Sequence, residues 1–258
     1  MTKSRKTVKQ IRDLLKQVSS TEDPLFLSLK ADDRRGVQQA LQSTRRRLKR
    51  QEAAQAAFRK RFAYEKALWS HGNQYVAGMD EVGRGPLAGP VVTCAVILNP
   101  DFDLVAVTDS KQLTRHERES LYLKIVNEAV EVSIAVNDRQ TIDQLNIYAA
   151  TQQAMLRSVA HLHHRPSHLI VDAVPLKTPI PQTTLIKGDQ KSISVAAASI
   201  VAKEYRDHLM RDYDRLYPEY GFAQNMGYGT AQHLKALQQY GATPIHRRSF
   251  APVKKYLK

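Results

Sequence analysis

The chain has 258 residues, of which 42% are hydrophobic, and it carries a formal net charge of +14 at neutral pH. Its length and apolar content are typical of a chain that folds around a sizeable core, and they exclude disorder throughout. No apolar run is long enough to span a membrane, and the basic start is not followed by a secretory cleavage pattern, so we expect a cytoplasmic protein.

The basic charge is concentrated at the N-terminal end. Residues 1–70 hold 18 Lys and Arg against 7 Asp and Glu, whereas the rest of the chain holds 21 against 18. Helical periodicity runs from Val8 to Val18 and again from about Arg34 to Trp69, with a break at "SSTEDPLF". The stretches "TRRRLKR" and "FRKRF" place cations on several helix faces, which suits contact with a phosphate backbone. We predict a basic helical extension, residues 1–70, that contacts nucleic acid; the alternative is a solvated charged helix without a partner.

From about residue 71 the pattern changes to short β-branched runs separated or followed by helices. The predicted strands are "QYVAGMD", "GPVVTCAVIL", "EVSIAVND", "SHLIVDAV" and "TTLIKGD". Helices are predicted from Thr114, where "TRHE" forms a capping box, over 143–163, over 191–216, and at "AQHLKALQQY", closed by Gly241. This order predicts an α/β domain with a mixed sheet over residues 71–258. The single cysteine, Cys94, lies in the second strand and excludes an internal disulfide or a cysteine-rich zinc site.

Four acids lie near the ends of predicted strands. Asp80 and Glu81 are adjacent in "GMDEVGRGPLAGPVV", and because strand side chains alternate between faces, both can serve one site only at a strand end or a bulge. Asp172 follows "HLIV" and Asp189 follows "TTLIKG". Carboxylates without cysteine indicate a hard-cation site for Mg²⁺ or Mn²⁺, and in a basic protein they suggest two-metal phosphodiester chemistry. Taken singly, Asp189 could instead cap the next helix, and Asp172 could accept hydrogen bonds in a loop.

Six motifs then carry a resemblance: "MDEVGRGPLAGPVV", "DSKQL", "LIVDAV", "KGDQKSISVAAASIVAK", "YPEYGFAQNMGYGT" and "PIHRRSF". Over about residues 72–258 the chain resembles the type 2 ribonucleases H, specifically the bacterial ribonuclease HII family. The resemblance implies a ribonuclease H-like fold, with a five-stranded mixed sheet flanked by helices and a helical C-terminal part. It implies hydrolysis of the RNA strand of RNA/DNA hybrids, and cleavage 5′ to single ribonucleotides in duplex DNA that leaves 3′-hydroxyl and 5′-phosphate ends. The corresponding role is ribonucleotide excision from DNA.

The resemblance also assigns residues. The catalytic metal ligands, for two Mg²⁺ or Mn²⁺ ions, are Asp80, Glu81, Asp172 and Asp189. The substrate-binding residues are Gly83, Arg84, Gly85, Ser110, Lys111 and Tyr228. Glycines allow backbone groups to approach a single 2′-hydroxyl, while Ser110 and Lys111 correspond to a phosphate-contacting pair and Tyr228 to a ring that stacks on the neighbouring sugar. Without the resemblance, Tyr228 could equally be a loop aromatic buried against a helix.

The chain departs from the family pattern at two positions. Ala173 stands where many members have glycine, and it should be tolerated if its φ is negative. Met226 stands where many members have lysine, so backbone contact should weaken modestly. His246 and Arg247 match the family, but no chemistry follows for them, and the histidines of "HLHHRPSH" are expected to be structural.

Two other functions remain open at this point. Another nuclease or resolvase of ribonuclease H-like fold shares the carboxylates but should lack the Gly-Arg-Gly and Gly-Tyr-Gly combination. A non-catalytic nucleic-acid module built on residues 1–70 would not need the acids. We expect a monomer, and a sliding-clamp contact is compatible with the family although no clear clamp motif stands at the C-terminal end.

Overall fold

The computed structural model describes residues 6–257. Its strands are β1 (Val76–Val82), β2 (Val91–Ile97), β3 (Glu131–Asn137), β4 (His168–Asp172) and β5 (Gln182–Leu185). Its α-helices are α1 (Val8–Gln17), α2 (Pro24–Leu29), α3 (Arg35–Arg61), α4 (Ala63–Ser70), α5 (Arg115–Glu128), α6 (Arg139–Leu145), α7 (Ile147–Ala160), α8 (Ile193–Leu216), α9 (Phe222–Asn225), α10 (Ala231–Tyr240) and α11 (Ala251–Lys254). The chain divides into two compact units, Met1–Arg59 and Lys60–Lys258.

The first unit has a small helical core. The side chain and amide of Thr7 form a capping box with Gln10 at the start of α1, and apolar positions one turn apart, such as Ile11 and Leu15, then pack with Phe26 of α2 and Val37 of α3. The predicted break at "SSTEDPLF" contains α2. The long helical segment predicted to Trp69 is two helices, because α3 ends at Arg61 and α4 begins at Ala63.

The second unit is built on a five-stranded mixed sheet in the order β3-β2-β1-β4-β5. Strands β1 and β2, and β2 and β3, pair antiparallel, whereas β4 runs parallel to β1 and to β5. The parallel pairing of β1 with β4 ends at Met79 opposite Val171. Beyond Met79, therefore, the β4 side of β1 is open, and this opening lies at the carboxyl ends of the two central strands.

Helices cover the sheet. Ala77 and Met79 of β1 share an apolar cluster with Met155 of α7, while Gly78 approaches α8 so closely that a Cβ added to it would lie 2.2 Å from the carbonyl carbon of Ser194. Because successive strand residues face opposite sides, α7 lies on one face of β1 and α8 on the other. Asp80 shares the α8 face with Gly78.

The predicted five-stranded mixed sheet flanked by helices is confirmed, as are most element positions. Thr114 caps α5 through the predicted capping box, and Gly241, at φ 80°, closes α10. The helix predicted over 143–163 is interrupted, because Asn146 adopts φ 71° between α6 and α7 and its side chain caps α7. No helix in residues 6–257 is long and apolar enough to cross a membrane.

Candidate active site

Three of the four predicted acids, Asp80, Glu81 and Asp172, lie at the open carboxyl ends of β1 and β4. Asp80 and Glu81 stand inside β1 in unbroken register with Cys94 and Thr93 of β2, so the pair needs no bulge. Because β1 stops pairing with β4 at Met79, the edge of β1 that carries Asp80 and Glu81 is open. Asp172 is the last residue of β4, and its Oδ1 accepts a hydrogen bond from the Gly188 amide at 2.7 Å.

Asp189 lies in the 3₁₀ turn Gly188–Gln190 that leads into α8. It does not cap that helix, because Ser192 is the N-cap and its side chain accepts from the Val195 amide. The hydrogen bond from Gly188 to Asp172 joins the Asp189 turn to the end of β4. The local fold thus brings Asp189 close to Asp172.

Burial raises the pKa values of three of the acids, and repulsion from neighbouring carboxylates adds to the shifts. Burial and repulsion from Glu81 raise the pKa of Asp80 well above its usual range, although hydrogen bonds from Ser199 and the Glu81 amide oppose the shift. Burial also raises the pKa of Glu81 against the opposing charge of Arg84. Burial raises the pKa of Asp189 as well, and Asp172 adds to all three shifts by repulsion. Such a group of mutually repelling carboxylates is stabilised by a cation.

The acidic site also contains a buried oxygen that accepts no hydrogen bond. The Oε2 atom of Glu81 is buried and has no hydrogen-bond partner among the described residues, while its Oε1 is 3.3 Å from Nη1 of Arg84. Asp80 and Asp189 are only 6% and 4% exposed. Buried carboxylate oxygens without donors are the ligands that Mg²⁺ and Mn²⁺ prefer, so the residues present fit a divalent-cation site.

The "DSKQL" segment borders the acids. Lys111 places its Nζ 3.8 Å from Oδ2 of Asp189, and its side chain is 83% exposed. The pKa of Lys111 is raised: partial burial lowers it, but the negative charges of Asp189 and Asp109 outweigh that effect. Ser110 is buried, with its hydroxyl 3.0 Å from that of Ser199. Asp109 caps this turn by accepting from the Lys111 amide, which is a structural role.

The loop of residues 83–90 is held from behind by two buried arginines that the sequence analysis did not identify as functional. Arg206 of α8 donates to the carbonyls of Pro90, Ala88 and Met226. Arg247 donates to the carbonyls of Gly89, Arg84 and Gly83. Burial lowers the pKa of Arg206 to about 10 and that of Arg247 to about 9. Both guanidinium groups therefore stay charged at neutral pH and donate to the loop.

Glycine is required at the start of this loop. Gly83 adopts φ +92°, and an added Cβ would lie 2.2 Å from Nε of Arg206. Gly85 lies beside Tyr228, because a Cβ added there would be 3.3 Å from Cε1 of the tyrosine ring.

The position of Arg247 in the motif "PIHRRSF" marks it as a residue of interest, but the sequence does not indicate which groups Arg247 contacts.

Tyr228 is half exposed rather than buried against a helix, and a pair of buried histidines fixes its backbone. His233 Nδ1 is 2.9 Å from the Tyr228 carbonyl, and its Nε2 is 2.8 Å from Nε2 of His246. The Thr243 amide donates to His246 Nδ1. This chain of contacts is consistent only with two neutral rings. Burial, together with the repulsion that would arise if both rings were protonated, lowers the pKa of His246 to about 3.

Both departures from the family pattern have a left-handed backbone. Ala173 has φ 49°, so the negative φ that would make alanine harmless is not observed. Met226 has φ 51° and closes α9, and its carbonyl accepts from Arg206 while its side chain packs on the C-terminal core. Ala173 is therefore a strained position immediately after Asp172.

Three of the four histidines of "HLHHRPSH" make structural contacts. The amides and Nδ1 atoms of His163 and His164 all contact the carboxylate of Glu131. Burial opposes the shift, but the His164 and His163 amides and rings lower the pKa of Glu131 to about 2. His168 pairs with Thr183 across the parallel strands β4 and β5.

A second group of possible ligands lies on α5 and α8. Atoms of Glu119, Glu204 and His208 fall within 4.8 Å of one another. Arg115 lies 2.8 Å from Glu119, however, and Arg118 lies 2.7 Å from Glu204. Because these arginines already balance both carboxylates, we interpret the group as an ion-pair network that joins the two helices.

Comparison with known proteins places these features in a family. The family model for ribonuclease HII matches residues 77–253, and the model for the ribonuclease HII N-terminal domain matches residues 7–69. A ribonuclease HII of Limosilactobacillus reuteri (strain DSM 20016) is 72% identical over 254 residues, which are 98% of this chain and 99% of that protein.

Solved structures agree in fold. The ribonuclease H2 of Pyrococcus horikoshii OT3 superposes with a TM-score of 0.61 at 27% identity, over 71% of this chain and 97% of that chain. The Bst-RNase HIII in complex with Mn²⁺ gives a TM-score of 0.58 at 21% identity, over 70% and 68% of the two chains, and shows the fold alone. The chain therefore belongs to the ribonuclease HII family, whose members are endonucleases that degrade the RNA strand of RNA/DNA hybrids.

Proposed function

We propose that this ribonuclease HII family member cuts on the 5′ side of a single ribonucleotide embedded in duplex DNA, leaving 3′-hydroxyl and 5′-phosphate ends, and so serves ribonucleotide excision from DNA. The observation that carries the proposal is the placement of a rigid glycine loop directly after the acids. Gly83 follows Glu81 by two residues, and its carbonyl is held by Arg247. Recognition and hydrolysis can then act on adjacent atoms of the substrate.

Recognition of one ribonucleotide requires reading one 2′-hydroxyl, which both donates and accepts hydrogen bonds. Backbone groups of Gly83, Arg84 and Gly85 can approach it because two of the three residues carry no side chain. The Tyr228 ring, half exposed beside Gly85, would stack on the next sugar. A 2′-hydroxyl on that sugar would obstruct stacking, which favours an RNA-to-DNA junction.

Asp80, Glu81, Asp172 and Asp189 would hold two Mg²⁺ or Mn²⁺ ions. The support is the buried, unpaired oxygen of Glu81 and the burial that, together with repulsion from Asp172, raises the pKa values of Asp80, Glu81 and Asp189. When bound, such ions activate the attacking water and stabilise the leaving oxygen. The similarly folded Bst-RNase HIII has been solved with Mn²⁺, which fits this choice of metal.

The remaining side chains would position the phosphate backbone. Lys111 projects into solvent beside Asp189 and offers a compact cation to a substrate phosphate. Arg84 is partly exposed next to Glu81 and can do the same on the other side. Ser110 already shares its hydroxyl with Ser199, so its predicted phosphate contact requires that hydroxyl to change partners.

We further propose that residues 1–70 add affinity for the duplex through counterion release. Arg45, Arg46, Lys49 and Arg50 of α3 are exposed, whereas Arg47 is held by the carbonyls of Leu15 and Val18. Replacing those four exposed cations with glutamine should weaken binding and reduce the slope of log affinity against log salt by up to about 4, since each lost phosphate contact removes about 0.9. An unchanged slope would contradict this role.

The experiment for the catalytic proposal uses end-labelled duplex DNA with one ribonucleotide, with all-DNA duplex as the control. Cleavage is measured in Mg²⁺, Mn²⁺ or EDTA for the wild-type protein, Asp80→Asn and Asp101→Asn. Asp101 is an exposed acid after β2, so its variant controls for loss of a negative charge. We expect metal-dependent cutting 5′ to the ribonucleotide, lost in Asp80→Asn and retained in Asp101→Asn.

The other outcomes identify the rival functions. Cutting of all-DNA duplex would make the protein a nuclease of another specificity. Cutting of long hybrids without cutting at single ribonucleotides would leave family membership intact but reject the proposed junction recognition. Binding without cutting in either metal would favour a non-catalytic nucleic-acid module.

A further inference from the structure

We propose that Glu65 is a positioning residue that fixes the start of α8 and thereby sets the spacing of Asp80 and Asp189. The inference rests on the proposed metal-binding role of the four acids. Glu65 lies on α4, more than 100 residues before α8 in the chain, and its side chain is fully buried. A buried carboxylate is costly unless its contacts compensate, so what it contacts indicates what it does.

Glu65 binds the N-terminal turn of α8. Its Oε1 accepts from the Ser192 hydroxyl at 2.5 Å, from the Ser194 amide at 2.9 Å and from the Ser194 hydroxyl at 2.6 Å. Helix N-termini carry free amide groups and a partial positive charge, so a carboxylate is favoured there. Glu65 thus supplies to α8, from a distant part of the chain, the kind of anionic cap that helices usually take from their own first turn.

The two serines are the points where α8 meets the acids. Ser192 is the helix N-cap and follows Asp189 by three residues. Ser194 packs directly against Gly78, with no room for a Cβ between the two backbones, and Gly78 precedes Asp80 by two residues. One carboxylate therefore fixes both the turn that presents Asp189 and the surface on which the Asp80 strand lies.

The inference has a measurable consequence for metal affinity. Loss of the Glu65 charge should let the α8 N-terminus shift relative to β1, and the two acids would then no longer meet a shared cation in one geometry. Residues that orient metal ligands from behind typically change affinity by about 10- to 100-fold. Because Glu65 acts through serines, we expect Glu65→Gln to raise the Mn²⁺ dissociation constant by about tenfold.

The experiment measures Mn²⁺ binding to the full chain by calorimetry without nucleic acid, together with thermal unfolding and cleavage. Asp143→Asn is the matched control, because Asp143 accepts from the amide and hydroxyl of Ser249 at 2.8 and 2.6 Å, much as Glu65 does from Ser194. The control should lose stability and keep its Mn²⁺ affinity. Glu65→Gln should lose affinity, and it should require more Mn²⁺ for half-maximal cleavage at an unchanged substrate KM.

Two further variants keep the test decisive. Ser194→Ala removes one donor to Glu65 and should shift the Mn²⁺ dissociation constant in the same direction by a smaller factor, even if Glu65→Gln fails to fold. Asp80→Asn should abolish the binding being measured. If Asp80→Asn binds Mn²⁺ like the wild type, the proposed metal site is wrong; if it loses binding while folded Glu65→Gln, or Ser194→Ala in its place, binds normally, only the positioning role is wrong.

Discussion

Replacing Ala173 with glycine should stabilise the protein. Ala173 has φ 49°, and the Val174 amide donates to the Asp172 carbonyl at 2.5 Å, so Ala173 is the centre of a γ-turn. The Ala173 amide is itself bound to the Leu185 carbonyl at 2.9 Å. Because hydrogen bonds hold the backbone on both sides of Ala173, φ cannot change to a lower-energy value and the strain persists.

The size of the effect follows from two opposing terms. A left-handed backbone costs a residue with a Cβ about 1–2 kcal/mol. Glycine removes this cost but loses about 0.4–1 kcal/mol more than alanine in conformational entropy on folding. The difference predicts a net stabilisation of about 0.8 kcal/mol for Ala173→Gly, which corresponds to a rise in Tm of about 2 °C for a unit of this size.

The assay is unfolding in urea followed by fluorescence of Trp69, the chain's one tryptophan, which packs against a core cluster of the second unit. Ala129→Gly is the control, because Ala129 has φ −67° and carries only the entropy term, so it should destabilise by about 0.4–1 kcal/mol. If Ala173→Gly destabilised the protein as much as Ala129→Gly does, the strain argument would be refuted. Cleavage should be unchanged, because the Gly188 amide still orients Asp172.

Two more predictions test the site. Burial and a neighbouring carboxylate raise the pKa of Asp80 in the folded protein. The stabilising contribution of the protonated Asp80 is therefore present below the unfolded-state pKa of about 3.9 and is lost as pH rises through the folded pKa. At pH 7.5 in EDTA, Asp80→Asn should unfold at a higher urea concentration than the wild type, and this difference in urea midpoint should disappear near pH 4. At Gly83, an added Cβ would collide with Arg206 at φ +92°, whereas at Gly72 it would meet nothing within 4 Å at φ +85°. Gly72→Ala should thus cost only the backbone strain of about 1–2 kcal/mol, and Gly83→Ala should cost more and lose cleavage at single ribonucleotides while Gly72→Ala retains it.

Local signals in the sequence were enough to predict the strands and the placement of the acids. Asp172 follows an apolar run and ends its strand, and Thr114 with Glu117 forms the expected capping box. The break at Asn146 was missed because helical periodicity continues across it, and only the positive φ reveals the interruption. Hydrophobic patterns of period 2 and 3.6 indicate which face of a strand or helix is buried. They do not identify a single residue whose backbone departs from the helical conformation.

The partners of the site could not be predicted because they are remote in sequence. Nothing around Glu65 distinguishes it from the many charged residues of the N-terminal region, and its partners Ser192 and Ser194 lie more than 120 residues later. Arg247 presents the opposite problem. In a basic chain that is expected to bind nucleic acid, an arginine within a motif suggests a phosphate contact, yet this one is fully buried and donates to backbone carbonyls.

The two buried arginines supply the rigidity that the selectivity proposed for the glycine-rich loop would require. Glycine lets the backbone approach a 2′-hydroxyl, but it also leaves the free loop with many conformations, and disorder of that kind would lower both affinity and discrimination. Arg206 and Arg247 hold the carbonyls of this loop from the protein side, which fixes the peptide planes and leaves the opposite side for substrate. The glycines thus still leave room for close approach, while the arginines hold the folded loop in one conformation. The selectivity proposed for the Gly83–Gly85 turn accordingly requires cations supplied by α8 and the C-terminal segment, and the turn transplanted without them should bind without discriminating.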